Sequence, residues 1–180
     1  MQVPTVETER LVLSGFELHD LDELSAILSN PAVMRYMPGG NPFARERAEK
    51  TLRGIIGHWE ERGFGWWAVR RRDRPNLIGW CGLTYLEELN ETEVAYLFDE
   101  PFWSKGLATE AALASLRYGF NDVGLDTIVA LAHVDNIASR RVMEKCGMTY
   151  VENLQLWGLE LAKYTISRVK HGTLTGNRTD

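Results

Sequence analysis

Apolar and polar positions follow two different periods along this chain, and the switches between them mark its elements. Leu11, Leu13 and the residues to Phe16 alternate as a strand does. Leu21, Leu24, Ile27 and Leu28 share one face of a helix that Asp20 and Glu23 open as a capping box and Asn30-Pro31 closes. After the loop Pro38-Gly39-Gly40-Asn41-Pro42, Leu52, Ile55, Ile56 and Trp59 give the inward face of a longer helix, from Ala44 to Arg62, stopped by Gly63. Trp66 to Arg71 and Leu77 to Thr84 read as strands around the polar turn Arg72-Asp73-Arg74-Pro75-Asn76.

Glu93 to Phe98 forms the next strand and leads into a helix from Gly106 to Asn121, with Asp122 and Gly124 at its exit. A strand from Thr127 to His133 follows, then a short helix ending at Gly147. Met148 to Leu154 and Gly158 to Ser167 make a closing hairpin, and the residues after Lys170 are polar. The expected organisation is one domain over residues 8–170 and a frayed polar tail over 171–180. Strands with interposed helices predict a mixed sheet covered on both faces, α/β in content or α+β by stricter classification.

The chemistry concentrates where the strand ending at Phe98 gives way to Asp99-Glu100-Pro101-Phe102-Trp103-Ser104-Lys105-Gly106-Leu107-Ala108-Thr109-Glu110. Small residues at the mouth of a helix let a ligand approach the backbone, and the first N–H groups of the helix have no intrahelical partner. Phosphate oxygens can take those donors, and the helix dipole favours their charge. This is an anion cradle for a phosphorylated cofactor. It is neither a Walker loop nor a dinucleotide-binding G-x-G-x-x-G turn, which disfavours ATP and NAD. A second strand-to-helix junction lies at Val134-Asp135-Asn136, followed by Ser139 and by Glu144-Lys145-Cys146-Gly147-Met148.

Together the blocks Trp103 to Ala111 and Asn136 to Met148 resemble the Gcn5-related N-acetyltransferase (GNAT) superfamily, and within it the ribosomal-protein N-terminal acetyltransferases. The likeness extends to Thr8-Glu9-Arg10-Leu11-Val12-Leu13, to Asn30 through Met37, to Gly63 through Val69 and to Ile78 through Leu83. It implies a mixed, mostly antiparallel sheet splayed after its fourth strand, with acetyl-coenzyme A in the opening. Backbone near Leu97 and Phe98 would pair with the pantetheine amides like an added strand. The N–H groups of Ser104, Lys105, Gly106, Leu107, Ala108 and Thr109 would hold the pyrophosphate. Two residues depart from the superfamily pattern: Trp103 stands where Gln or Arg is common, and Met143 where many members carry a tyrosine acid.

Asn136 serves either as an N-cap or as a pantetheine ligand. Ser139 lies on the same side of that helix turn, and the resemblance makes it the residue that serves the leaving thiolate, although a helix serine also bonds back to backbone. Amine attack on a thioester needs a carboxylate to take the ammonium proton; Glu93 is the first candidate and Glu160 the second. A backbone N–H around Phe98 is the expected oxyanion donor. Tyr164 either lines the acceptor pocket or belongs to the core. Trp66, Trp67 and Trp80 read as mostly core, with one ring at the acceptor pocket as the alternative; His133 reads as structural, and Arg70, Arg71, Arg72 and Arg74 read as a solvated turn rather than a phosphate or RNA site.

Composition adds limits. With 180 residues, 44% hydrophobic and 25% charged, the chain has enough material for one core. A net charge of −5 argues against nonspecific nucleic-acid binding and accords with a cationic acceptor. No stretch approaches the roughly 20 apolar residues of a membrane span, and Met1-Gln2-Val3-Pro4 begins no apolar leader, so a cytoplasmic protein, monomeric or homodimeric, is expected. Cys81 and Cys146 suggest neither a disulfide framework nor, with four scattered histidines, a metal centre. The function expected is acetyl transfer from acetyl-coenzyme A to a primary amine, such as a protein N-terminus. The alternatives are a small-molecule or antibiotic acetyltransferase and a non-catalytic coenzyme-binding regulator.

Overall fold

In the computed structural model, which describes residues 2–176, eight strands form one sheet. They are β1 (Val6–Glu7), β2 (Leu11–Ser14), β3 (Trp66–Arg71), β4 (Arg74–Leu86), β5 (Glu91–Phe98), β6 (Thr127–His133), β7 (Thr149–Leu156) and β8 (Leu159–Ser167). Their spatial order is β1-β2-β3-β4-β5-β6-β8-β7. Every neighbouring pair is antiparallel except β5 and β6, which run parallel and meet at a single register pair, Glu93 with Val129. Beyond Glu93 the two strands part. The short β1 is an addition to the sequence reading, so the opening follows the fifth strand in chain order. β4 also begins at Arg74, three residues before the expected start, because its ladder with β3 runs through the irregular pair Arg71–Arg74.

Helices cover both faces, with α1 (Leu21–Leu28), α2 (Pro31–Met34) and α3 (Arg45–Arg62) on one, and α4 (Leu107–Tyr118) and α5 (Ile137–Lys145) on the other. Strand alternation sorts β5 between them: Ala95 and Leu97 face the α1–α3 core, whereas Val94, Tyr96 and Phe98 face the α4–α5 core. Burial of residues such as Leu24, Leu52 and Met34 in the first core, and Leu83, Leu116 and Ile128 in the second, removes about 1.5–3 kcal/mol of apolar exposure per side chain. Both cysteines lie inside, where burial pushes each thiol up to about 12.

Two local expectations change. The reciprocal cap forms between Glu17 and Asp20, not between Asp20 and Glu23. Glu23 turns instead to the start of β4, where it accepts from Asn76 Nδ2 at 3.0 Å and from the Leu77 N–H at 3.1 Å. Asp20 is 1% exposed and pairs with Arg70, drawing that arginine away from the solvated turn in which the sequence placed it. At the other end of the chain, residues 171–176 continue a helix, α6 (Arg168–Gly176), in which His171 packs against Phe120 at a ring separation of 5.1 Å. The remainder of the expected polar tail, 177–180, lies outside the described residues.

Breaking the Asp20–Arg70 pair leaves a partly exposed guanidinium with Ser14 Oγ, at 3.0 Å, as its remaining side-chain partner, and removes the acceptor of the Glu17 N–H at 2.9 Å. Asp20→Ala should therefore lower stability by about 1–3 kcal/mol in urea titration, whereas Glu61→Ala on the exposed end of α3 should stay within about 0.5 kcal/mol.

Candidate active site

Glu93 stands at the apex of the opening. Its cross-strand partner on β4 is Thr84, and alternation turns its side chain to the α1–α3 face. Where β5 and β6 separate, the Leu131 N–H loses its ladder partner and donates instead to Glu93 Oε1 at 3.1 Å. Burial raises the Glu93 carboxyl to about 8, and the Leu131 hydrogen bond offsets only part of that rise. A carboxyl with this value holds its proton at pH 7 and accepts one from an amine slightly above it.

Backbone polarity along the opening follows from one bond. The Asp99 N–H donates across to Ile78 O on β4 at 2.9 Å, so alternation directs the Leu97 peptide groups to β4 and the N–H groups of Tyr96 and Phe98 into the opening. Leu97 contributes its buried side chain to the α1–α3 core. At the mouth, the Trp103 indole N–H donates to Phe98 O at 2.6 Å and ties the cradle loop to the end of the strand. That bond gives the unusual Trp103 a local structural role.

The cradle itself is assembled from both ends of the fold. Ser104 has φ 59 and Gly106 φ 77, which reverse the chain so that α4 starts at Leu107. Glu110 N–H is bonded to Gly106 O at 3.1 Å, whereas the N–H groups of Leu107, Ala108 and Thr109 precede the first helical bond and point out of the helix end. From the N-terminal segment, Thr8 Oγ1 donates to Glu110 Oε1 at 2.6 Å and the Arg10 N–H donates to the same oxygen at 2.8 Å. Arg10 Nε donates to Glu110 Oε2 at 2.6 Å, and its Nη1 donates to Lys105 O at 2.9 Å. Burial works to raise the Glu110 carboxyl, but these partners together hold it below its ordinary value. A Cβ built on Gly106 would lie 3.5 Å from Arg10 Nη2, so a cation stands beside the proposed phosphate position. The sequence carried Arg10 within a matching block but offered no role for it; the acidic residue in the first turn of α4, where it opposes an incoming phosphate, was the signal that a cationic partner was needed.

Across the opening, Asn136 Oδ1 caps α5 by accepting from the Ser139 N–H at 3.1 Å. Its amide nitrogen takes no part in that cap. Ser139 meets Tyr96: the phenol oxygen is 3.0 Å from Ser139 Oγ and 3.0 Å from Ser139 O. Met143 is buried in the α4–α5 core. Glu160 is exposed, accepts from Asn153 Nδ2 at 3.2 Å, and by alternation shares the face of Ala162 and Tyr164, opposite to that of Glu93. The two candidate bases are therefore not brought together.

Tyr164 is core, its hydroxyl held between Arg140 Nε and Glu144 Oε1 at 3.2 Å each. Trp66 and Trp80 stack at 4.0 Å on the α1–α3 face, while Trp67 lies in the other core. His133 packs its ring 5.4 Å from Tyr36, joining the end of β6 to the segment after α2.

A cradle of helix-end amides, a strand edge opened beside it and a carboxyl at the apex together fit a long thioester carrying a pyrophosphate. The family model described as an acetyltransferase (GNAT) domain matches residues 10–149. The chain belongs to the GNAT acetyltransferase family. The uncharacterized N-acetyltransferase YoaA of Bacillus subtilis is 32% identical over 80% of this chain and 82% of its own length. FsC-acetyl coenzyme A-N(2)-transacetylase of Aspergillus fumigatus is 30% identical over 83% of this chain and 66% of its own. A GNAT-family acetyltransferase structure from Bacillus anthracis has a TM-score of 0.81 at 26% identity, covering 92% of this chain and 99% of that one. RimL, a ribosomal L7/L12 α-N-protein acetyltransferase in complex with coenzyme A, shares the fold at a TM-score of 0.77 and 18% identity, with 91% and 98% covered. This GNAT protein is an N-acetyltransferase that uses acetyl-coenzyme A. No helix among its described residues is long and apolar enough to cross a membrane.

Two outcomes follow from this geometry. Gly106→Val fits the fold, since only Arg10 Nη2 lies within 4 Å of the added Cβ, yet it strains a left-handed residue by about 1–2 kcal/mol and fills the anion's place. Calorimetry should show coenzyme A affinity reduced by about 10-fold or more, with melting lowered by only about 5 °C. Glu93, raised from 4.5 to about 8, keeps its proton in the folded chain where the unfolded chain has lost it. Stability should thus fall as pH rises from about 4.5 to 8, and Glu93→Gln should flatten that slope in melts across the same range.

Proposed function

We propose that this enzyme acetylates the α-amino group of a protein or peptide, with Glu93 as the base. The observation that carries the proposal is the position of Glu93 at the apex of the opening, with a carboxyl raised to about 8. An α-amine has an ordinary value of about 7.7–8.0, and a lysine side chain about 10.4. Proton transfer from an α-ammonium to Glu93 is therefore nearly balanced, whereas a lysine ammonium would be uphill by about two units. The resemblance to ribosomal-protein N-terminal acetyltransferases and the net charge of −5 support the same acceptor class.

Acetyl-coenzyme A supplies the acetyl group as a thioester. Leu107, Ala108 and Thr109 N–H groups hold its pyrophosphate, with Ser104, Lys105 and Gly106 shaping the turn and Arg10 adding positive charge. The Tyr96 and Phe98 N–H groups and the Asn136 amide line the path of the pantetheine arm. Glu93, directly or through one water, takes the proton that the amine loses as its nitrogen bonds to the acetyl carbon. The Phe98 N–H receives the negative charge that develops on the carbonyl oxygen. As the carbon–sulfur bond breaks, the electron pair stays on sulfur and the Ser139 hydroxyl donates to it. Glu160, exposed on the other face, has no part in these steps.

Thiol release with acetyl-coenzyme A and a panel of N-terminal peptides tests the reading. Turnover should rise through an apparent pKa near 8. Glu93→Gln should lower kcat by about 100-fold or more, while peptides blocked at the α-amine but carrying lysine should be inert. Turnover confined to small amines would overturn the acceptor assignment.

A further inference from the structure

The hydrogen bond between Tyr96 and Ser139 joins the two sides of the opening. Tyr96 comes from β5, and Ser139 from the first turn of α5 beyond β6. Their residues are 43 apart in sequence, and their oxygens are 3.0 Å apart. Along β5, Tyr96 lies between Phe98, at the cradle end, and Glu93 at the apex, so the contact stands beside the route from the cradle to the proposed base.

Around this contact the phenol has one proton and two possible acceptors, Ser139 O and Ser139 Oγ, each at 3.0 Å. With the phenol donating to the carbonyl, the Ser139 hydroxyl donates to the phenol oxygen. With the phenol donating to Ser139 Oγ, the serine proton is released toward the opening. Neither arrangement leaves the phenol proton without a partner, so exchange between them is cheap. A thiolate forming in the opening selects the second, because a hydrogen bond to a charged acceptor is about twice as strong as a neutral one. Met143, one turn further along α5, offers only a buried thioether.

We propose that Tyr96 is a positioning residue for thiolate departure: it takes up the Ser139 oxygen as that hydroxyl turns its proton onto the coenzyme sulfur. The carbon–sulfur bond breaks, the pair remains on sulfur as a thiolate, and the Ser139 proton hydrogen-bonds to it. Tyr96 keeps its own proton throughout, consistent with the burial that raises its phenol above the ordinary tyrosine value. This role rests on acetyl-coenzyme A as donor and is independent of which amine accepts.

The test combines Tyr96→Phe, Ser139→Ala and the double variant with two readouts. Calorimetry at pH 9 with coenzyme A and desulfo-coenzyme A needs no acceptor. The wild-type preference for coenzyme A should fall by about 10-fold in each single variant, the worth of one charged hydrogen bond. The double variant should lose no more than Ser139→Ala alone. In turnover with the best peptide, Tyr96→Phe should lower kcat by about 10-fold or more and leave KM for acetyl-coenzyme A within about 2-fold. Placing 3-fluorotyrosine at position 96 strengthens the phenol as a donor without changing its shape, and should raise kcat. An unchanged preference for coenzyme A in Tyr96→Phe, additive losses in the double variant, or a fluorotyrosine protein with wild-type kcat would each overturn the proposal. If no peptide turns over while the coenzyme preference behaves as stated, the acceptor assignment fails and the role of Tyr96 stands.

Discussion

The separation of β5 from β6 is the constraint on which the rest of this site depends. A parallel pair that meets only at Glu93 and Val129 exposes backbone groups that an unbroken sheet would consume. Buried backbone groups without partners are costly, and the fold answers that cost at one end. At the apex, the Glu93 carboxyl takes the Leu131 N–H. Further out, the N–H groups of Tyr96 and Phe98 face the opening instead of β4. The same separation thus opens the candidate slot, and burial at its apex raises the Glu93 carboxyl to about 8.

The mouth of the slot shows a comparable economy of parts. A helix end attracts phosphate, but Glu110 in the first turn of α4 would repel it if left alone. Thr8 and Arg10 engage that carboxylate, and Arg10 extends to Lys105 O, so the N-terminal segment both neutralises the charge and braces the turn. Trp103 braces the other side by returning its indole to Phe98 O. The departure at Trp103 therefore adds a local contact and leaves the backbone N–H groups of the turn in place.

Much of this was legible in the chain. The order of strands and helices, the Gly63 stop, the cradle at Gly106 and the Asn136 cap all follow from periodicity and local backbone preference. The misplaced capping box shows where such reading fails: Asp20 and Glu23 have suitable spacing, but Arg70 claims Asp20 and the start of β4 claims Glu23. Glu93 ranked ahead of Glu160 in the sequence for its place at the head of the strand before the cradle, but both were carboxylates on strands. Only strand alternation around a known opening separates one at the apex from one on the opposite face.

Taken by itself, the sequence determined the Gly63 stop, the glycine turn at Gly106 and the Asn136 cap, because each depends on residues within a few positions of one another, and the family, because its blocks recur in order along the chain. Tertiary structure alone decided which carboxyl is buried beside the parted strands, that Arg10 serves a glutamate 100 residues away, and that Tyr96 reaches Ser139 across 43. Those contacts arise from non-local strand pairing and helix packing. A side chain's local propensity carries no information about which distant group the sheet will set opposite it.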